Sequence, residues 1–151
     1  MDIGSKNGYP SSALSNFAGH RFTIDMVECY SMEGFLQSLK FDKAHIAVEV
    51  CKLVGFGAKR RGSDRNKQWK VKQTLWWKGL AMDRHGDEYQ LLLERAFAEM
   101  AAQSEGFHKA LIASGNSTLT HEIGRANPHD TVLTKAEFCG LLTRLRRVLN
   151  D

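Results

Sequence analysis

Cysteine is scarce and scattered. Cys29, Cys51 and Cys139 are the only three in 151 residues, and no two are closely spaced. An odd, dispersed set supports neither a disulfide framework nor a cysteine-rich zinc site. It predicts a reducing, cytoplasmic setting. Long apolar runs are missing too. A bilayer span needs about 20 consecutive apolar residues, and no stretch approaches that. The N-terminus offers no basic head followed by an apolar stretch, so neither secretion nor a membrane partner is expected. There is no internal repeat or low-complexity linker. One domain over residues 1–151 is the expectation, large enough to bury a core without staples.

Several catalytic signatures are also absent. Gly55-Phe56-Gly57 and Gly62 lie near lysines, but the GK[ST] of a phosphate loop is missing, and these glycines are expected to end a helix. No pair among the six histidines has H-E-x-x-H or comparable ligand spacing, so no metal or other cofactor is expected. Without a G-x-S-x-G elbow, a serine hydrolase has no support.

What the chain does carry is a modest positive charge, +4 with histidines neutral, which favours anionic ligands. Much of the excess lies between Lys59 and Lys78, where lysines and arginines interleave with Trp69, Trp76 and Trp77. Basic and aromatic mixing suits phosphates and stacked bases. A solvated amphipathic helix with core tryptophans fits the same pattern.

The most informative run is Ser31 to Phe41, SMEGFLQSLKF. Glu33, Gln37 and Lys40 fall at i, i+4 and i+7 and share one helix face. Phe35, Leu36, Leu39 and Phe41 supply apolar positions that anchor the helix to a core. A carboxylate, an amide and an ammonium in a row then line a pocket, or else they are solvated surface groups.

Coarser signals suggest a mainly helical chain with a small β hairpin or sheet, an α+β class. A loop runs to Ser15, then a hairpin spans Arg21 to Tyr30, where Phe22 and Ile24 alternate with Thr23 and Asp25. Ser31 can cap the Glu33 helix. A second helix is expected from Ile46 to Val54, ending at Gly55-Phe56-Gly57, with a basic loop to Asn66 leading into a third. Asp87 with Gln90 resembles a capping box opening a helix to Gln103. Gly106 lies within or before the next turn, and a short helix through Leu111 stops at Gly115. Thr134 with Glu137 is a second capping-box signature. It opens a last helix with Phe138, Leu141, Leu142, Leu145 and Val148 on one side.

These residues resemble the NADAR family, also called YbiA-like. The resemblance rests on Ser15-Asn16-Phe17, on Ile24-Asp25, and on Glu33, Gln37, Lys40 and Phe41 in an E-x-x-x-Q-x-x-K-F helix. Ala58-Lys59 with Arg61-Gly62 is similar to the family's small-basic-glycine segment, and Trp76-Trp77 stand near its tryptophan region. Leu111 to Gly124, with Gly115-Asn116, Leu119 and Thr120-His121, looks like its third block. A YbiA-like single domain is the fold implied.

The resemblance implies cleavage of an N-glycosidic bond at a ribose carbon, through a cationic, oxocarbenium-like sugar that a carboxylate stabilises. Glu33 fits that role. Lys40 either holds a phosphate or sugar oxygen as an ammonium or, with a depressed pKa, attacks the opened sugar as a Schiff-base nucleophile. In the same reading Gln37 and Asn16, followed by Phe17, meet the ribose, Lys59 and Arg61 bind diphosphate, and Trp76 or Trp77 stacks on a base. Asn116 and His121 join the binding set, His121 being either a proton carrier or a satisfied buried histidine.

Gly34 stands where the family often has histidine, Thr120-His121 replaces a pair often ending in glutamate, and no Trp-Gly block follows. These features mark the branch acting on ribosylaminopyrimidine phosphates of riboflavin synthesis more clearly. The reading adopted is therefore removal of ADP-ribose from guanine in DNA, with ADP-ribose or ADP-ribosylated nucleic acid as partner. Toxin reversal and NAD metabolism are the roles the family implies. The alternatives are the pyrimidine branch, a noncatalytic ADP-ribose or nucleic-acid binder, and a module whose polar row faces a partner protein.

Overall fold

The computed structural model describes residues 1–151 as eight helices and two small antiparallel sheets. The opening segment is not loop throughout. Ser11–Leu14 (α1) forms one helical turn, drawn inward by buried Leu14 and by Ser11 Oγ, which accepts from Gly4 N at 3.2 Å. Phe22–Ile24 (β1) and Val27–Cys29 (β2) then pair antiparallel, as their alternation predicts. Asp25 and Met26 make the connecting turn, both at positive φ (50° and 66°), as two-residue hairpin loops require.

Met32–Ser38 (α2) begins where Ser31 predicts, its hydroxyl accepting from Gly34 N at 3.0 Å. The next stretch departs from expectation. Ala44–Cys51 (α3) is shorter than Ile46 to Val54 at its end and longer at its start. Gly55-Phe56-Gly57, expected to end a helix, opens Gly55–Ser63 (α4), which absorbs most of the presumed basic loop. The reason is close packing: a Cβ on Gly62 would lie 1.7 Å from Gln37 Oε1, so the glycine lets α4 lie against α2. Gly34 serves the same end on another face, since a Cβ there would meet Leu53 O at 2.5 Å and Cys51 O at 2.8 Å.

Asn66–Lys72 (α5) carries Trp69, but Trp76 and Trp77 belong to no helix. They lie in a second hairpin, Thr74–Trp77 (β3) with Leu80–Asp83 (β4). Lys78 and Gly79 turn it at φ 53° and 83°. Trp76 N donates to Leu39 O at 2.8 Å, so β3 caps the end of α2.

Asp87–Gln103 (α6) has the expected bounds but not the expected cap. Gly86 occupies the cap position without a side-chain bond, and the Gln90 amide instead donates to Glu137 Oε2 at 2.6 Å. Gly106 falls inside Glu105–Ala113 (α7), and Gly115 follows at φ 61°. The Thr134–Glu137 box forms in full, at 3.0 and 2.8 Å, and opens Lys135–Asn150 (α8). Phe138, Leu141 and Leu142 of α8 are buried, whereas Val148 is exposed because the helix end runs past the core.

One cluster of 29 buried apolar residues, from Ile3 to Leu142, joins α2, both hairpins and α6 to α8. Helix α2 packs against α3 and α4 and touches α6. No helix is long and apolar enough to cross a membrane.

The long connection before α8 is held by buried polar bonds. Arg84, 1% exposed, makes a bidentate pair with Glu137 (2.7 and 3.1 Å) and donates from Nε to Thr131 O at 2.9 Å. Tyr89 donates its hydroxyl to Val132 O. Burial raises the Glu137 carboxyl, but the bonds from Arg84, Thr134 and Gln90 outweigh it and leave the pKa lowered. A lowered carboxylate adds stability above its ordinary range that is lost as pH falls through its folded value. Arg84→Leu is expected to destabilise the fold by about 3–5 kcal/mol, since it strands a half-buried carboxylate. In urea unfolding, Glu137→Gln should lose less and show a weaker acid dependence than the wild type. A change under about 1 kcal/mol for Arg84→Leu would sink this account of the connection.

Candidate active site

The polar row opens into a cavity of about 250 Å³. Helix α2 ends at Ser38, so only Glu33 and Gln37 share its face as expected, and Lys40 enters from the turn just past it. Glu33, Gln37 and Lys40 line one wall, Lys59 and Ser63 of α4 a second, and Asn66, Trp69 and Lys70 of α5 a third. The wall opposite comes from the distant connection, which contributes His121, Arg125 and Asp130 to Leu133. Four cationic side chains face two carboxylates, Glu33 and Asp130. The balance favours an anionic ligand.

Burial sets the electrostatics. Lys40 is only 7% exposed. Its ammonium donates to Asn66 Oδ1 at 2.7 Å, and its carbonyl accepts from Arg65 Nε at 3.1 Å. Desolvation draws its pKa down to about 8; Glu33 opposes this, while Lys70, Arg125 and Lys59 add to it. Glu33 is pushed the other way. Desolvation raises its carboxyl more than Lys40, the Gln37 amide and Lys59 lower it. The acid and the amine are thus each moved toward the neutral form.

Three buried polar atoms have no partner, Asn16 Oδ1, Gln37 Oε1 and Trp69 Nε1, and all three residues line this cavity. Gln37 is 6% exposed and Trp69 1%. Buried polar groups are almost always bonded, so three orphans in one cavity fit a ligand that offers both donors and acceptors. The glycine at position 62 keeps the space that Gln37 occupies.

Six of the residues named from the sequence meet here: Asn16, Glu33, Gln37, Lys40, Lys59 and His121. Asn16 is held to the α2 N-terminus, its carbonyl accepting from Glu33 N at 3.1 Å. His121 Nδ1 meets Ile3 O at 2.8 Å and its ring sits edge-on to Phe138, so the half-buried imidazole is packed and oriented while still lining the cavity.

Five others are placed elsewhere. Phe17 stacks edge-on with Phe56 at 5.0 Å, outside the cavity wall. Arg61 lies over the Phe41 ring at 4.6 Å and pairs with Asp64 at 3.3 Å. Trp76 belongs to the strand that caps α2, and Trp77 packs on Phe35 at 5.2 Å. The Trp77 indole donates to Asp25 at 2.8 Å, a carboxylate also clasped by Arg95 and held at a pKa of about 2 by those bonds. Ile24-Asp25 therefore ties the two hairpins to α6. Asn116 borders a separate surface hollow beside Arg146 and Arg147.

Asn66, Trp69, Lys70, Arg125 and Asp130 were not chosen from sequence. Trp69 and Lys70 lay in the basic, tryptophan-bearing stretch, but nothing there singled them out. Arg125 and Asp130 reach the cavity only because Arg84 and Tyr89 fold their connection back over it.

The fold is YbiA-like and of the NADAR type. Escherichia coli YbiA, solved by NMR, superposes with a TM-score of 0.67 at 18% identity, covering 99% of this chain and 84% of that one. Residues 8–147 match the family described as bacteriophage protein GP30.3. The chain belongs to that family. An uncharacterised 17.1 kDa protein encoded in the Gp30–rIII intergenic region of Enterobacteria phage T4 is 35% identical over 147 residues, 97% of this chain and 96% of that protein.

A desolvated carboxyl weakens the fold wherever it is ionised. Its raised pKa means that the folded state binds the proton more tightly, so stability falls as pH rises from the ordinary value of 4.5 through the folded one. Glu33→Gln is accordingly expected to be more stable than wild type by about 1 kcal/mol near neutral pH. The gain should shrink at about pH 4, where the carboxyl is largely protonated in both states. Urea titrations at the two pH values check this, and a destabilised Glu33→Gln would contradict it.

Proposed function

We propose that this protein hydrolyses the N-glycosidic bond between ADP-ribose and a modified nucleobase, guanine in DNA, through Glu33 and Lys40. The observation that carries the reading is Lys40, buried, drawn to a pKa of about 8, and lining the same cavity as a carboxyl that burial protonates more readily. A carboxyl raised and an amine lowered from their ordinary values are the acid and nucleophile that glycosyl transfer to an amine needs.

Protonated Glu33 donates to the ribose ring oxygen as the ring opens, leaving an iminium between C1 of the sugar and the base nitrogen. Neutral Lys40 Nζ adds to C1. The base nitrogen then departs with a proton taken from Nζ, leaving a protonated Schiff base on Lys40. Water, deprotonated by Glu33 or Asp130, adds to that carbon and releases the free sugar and the amine. Asn66 holds Nζ in place at 2.7 Å. Asn16, Gln37 and Trp69 line the wall against which the ribosyl group lies. Lys59, Lys70 and Arg125 neutralise the diphosphate.

Cavity size favours a second reading. At about 250 Å³ the space lies below the roughly 300–1,000 Å³ of most small-molecule pockets and suits one sugar with its phosphate. A ribosylaminopyrimidine phosphate fits wholly inside, whereas ADP-ribose on a base extends beyond the mouth.

Purified protein incubated with an oligonucleotide ADP-ribosylated on guanine should release ADP-ribose and restore the unmodified strand, read by mass spectrometry. Glu33→Gln and Lys40→Ala should each lose at least about a hundredfold in kcat. Borohydride added during turnover should attach the sugar covalently to the wild type and not to Lys40→Ala. Because Lys40 acts as the free amine, kcat/KM should gain from its deprotonation as pH rises through about 8. Tight binding with no release would support the noncatalytic binder instead, and turnover only of the pyrimidine phosphate would support the second reading.

A further inference from the structure

Phe56 is 66% exposed although it is a large aromatic residue. On α4 it shares one face with Lys59 and Ser63, at i, i+3 and i+7, and both of those line the cavity. It lies about 4.5 Å along the helix from Lys59, one turn beyond the wall. A second segment converges on the same place. Phe17, next to cavity-lining Asn16, packs edge-on against Phe56 with ring centroids 5.0 Å apart. A Cβ on neighbouring Gly57 would meet nothing within 4 Å, so the ring borders open space. Arg60, also exposed, flanks it on the same side of the helix.

The cavity has a polarity that assigns an occupant to this platform. Glu33 stands in the first turn of α2, and Lys40 lies just past its C-terminal end. Lys59 acts on both groups, whereas Lys70 and Arg125 act on Lys40 alone. Phosphate charge is therefore best neutralised at the Lys70 and Arg125 end. The bond to be cut lies between Lys40 and Glu33, and beyond it the Glu33 end is tied through its backbone to Asn16 and thus to Phe17. What leaves the cavity on that side is the base.

We propose that Phe17 and Phe56 form a stacking platform at the cavity mouth for the nucleobase whose glycosidic bond is cleaved, with exposed Arg60 beside the strand's phosphates. The proposal rests on the cavity holding the ribosyl group, as in the function proposed above. A flat exposed ring braced by a second ring suits a base face, and stacking contributes about 1–3 kcal/mol per base. Phe17 supports Phe56 and keeps it upright. The Trp76 and Trp77 rings, engaged in the α2 cap and the hairpin tie, take no part.

Phe56→Ala tests this directly, since so exposed a side chain adds little to the core. On the Glu33→Gln background, affinity for the ADP-ribosylated guanine oligonucleotide should fall about tenfold, while affinity for free ADP-ribose should not change. With turnover intact, most of the loss should appear in KM rather than kcat. Phe56→Trp should restore affinity and add fluorescence that the oligonucleotide quenches. An unmodified single strand should give weaker quenching, and a strand made abasic at the stacked position should abolish it. Equal affinity in Phe56→Ala and its parent overturns the platform. So does an equal loss for free ADP-ribose, which would assign the ring to the adenine, or a loss that persists on the abasic strand, which would assign it to the backbone. If wild type releases no ADP-ribose yet the base-dependent loss is seen, the platform stands and the hydrolase reading falls.

Discussion

Helix α2 is enclosed on every side except the one facing the cavity, and the rest of the site follows from that burial. From Met32 to Phe41 only Glu33 is more than marginally exposed. Water is withdrawn from the carboxylate and the ammonium together, and desolvation is the largest influence on both. In a solvated helix the same i and i+7 charges would keep ordinary pKa values. Two glycines make the enclosure tight: Gly34 admits the end of α3, and Gly62 admits α4 against Gln37. A methyl group at either position would push the neighbouring element away and rehydrate the row.

The wall opposite is built by long-range interactions. Arg84 follows β4, Glu137 lies in the first turn of α8, and the carbonyl of Thr131 lies between them in sequence. This guanidinium, with the Tyr89 hydroxyl and the Gln73 amide, holds the connection, and with it Asp130 and Arg125 line the cavity that Lys40 lines. Stability and chemistry are divided between two buried charge clusters. The Arg84 cluster is fully bonded and lowers its carboxylate. The Glu33 and Lys40 cluster is under-bonded, surrounded by orphan polar atoms, and holds both of its ionisable groups away from their charged forms. A fold gains nothing from the second arrangement unless a ligand completes it.

Periodicity made the heart of the site legible. The spacing of Glu33 and Gln37 is a local property, because a helix carries i and i+4 to one face whatever surrounds it, whereas Lys40 lies past the end of α2 and reaches the same cavity from the turn. Ser31 and the Thr134–Glu137 box were legible for the same reason, being contacts within one turn. Local signals misled where tertiary packing used a residue differently. Gly55 and Gly62 look like helix breakers and are helix members: Gly55 opens α4 at φ 52°, and Gly62 supplies closeness to α2. Asp87 and Gln90 spell a capping box, but Gln90 finds a better partner in Glu137, 47 residues away. Trp76 and Trp77 in a basic stretch suggest base stacking, yet strand pairing turns them to the α2 cap and the Asp25 tie.

By itself, then, the sequence determined the helix face that carries the acid and the amide, the amine that follows it, the hairpin before it, and the family pattern to which they belong. These depend on residues a few positions apart and on backbone geometry common to all chains. Only the tertiary structure decided that the face is dry, that Asn66 rather than Glu33 holds the Lys40 ammonium, and that Asp130 and Arg125 close the cavity. It also decided that Phe56, not a tryptophan, stands at the mouth. Each of these depends on contacts between segments distant in the chain, and desolvation is a property of the enclosing packing that no single stretch of residues can encode.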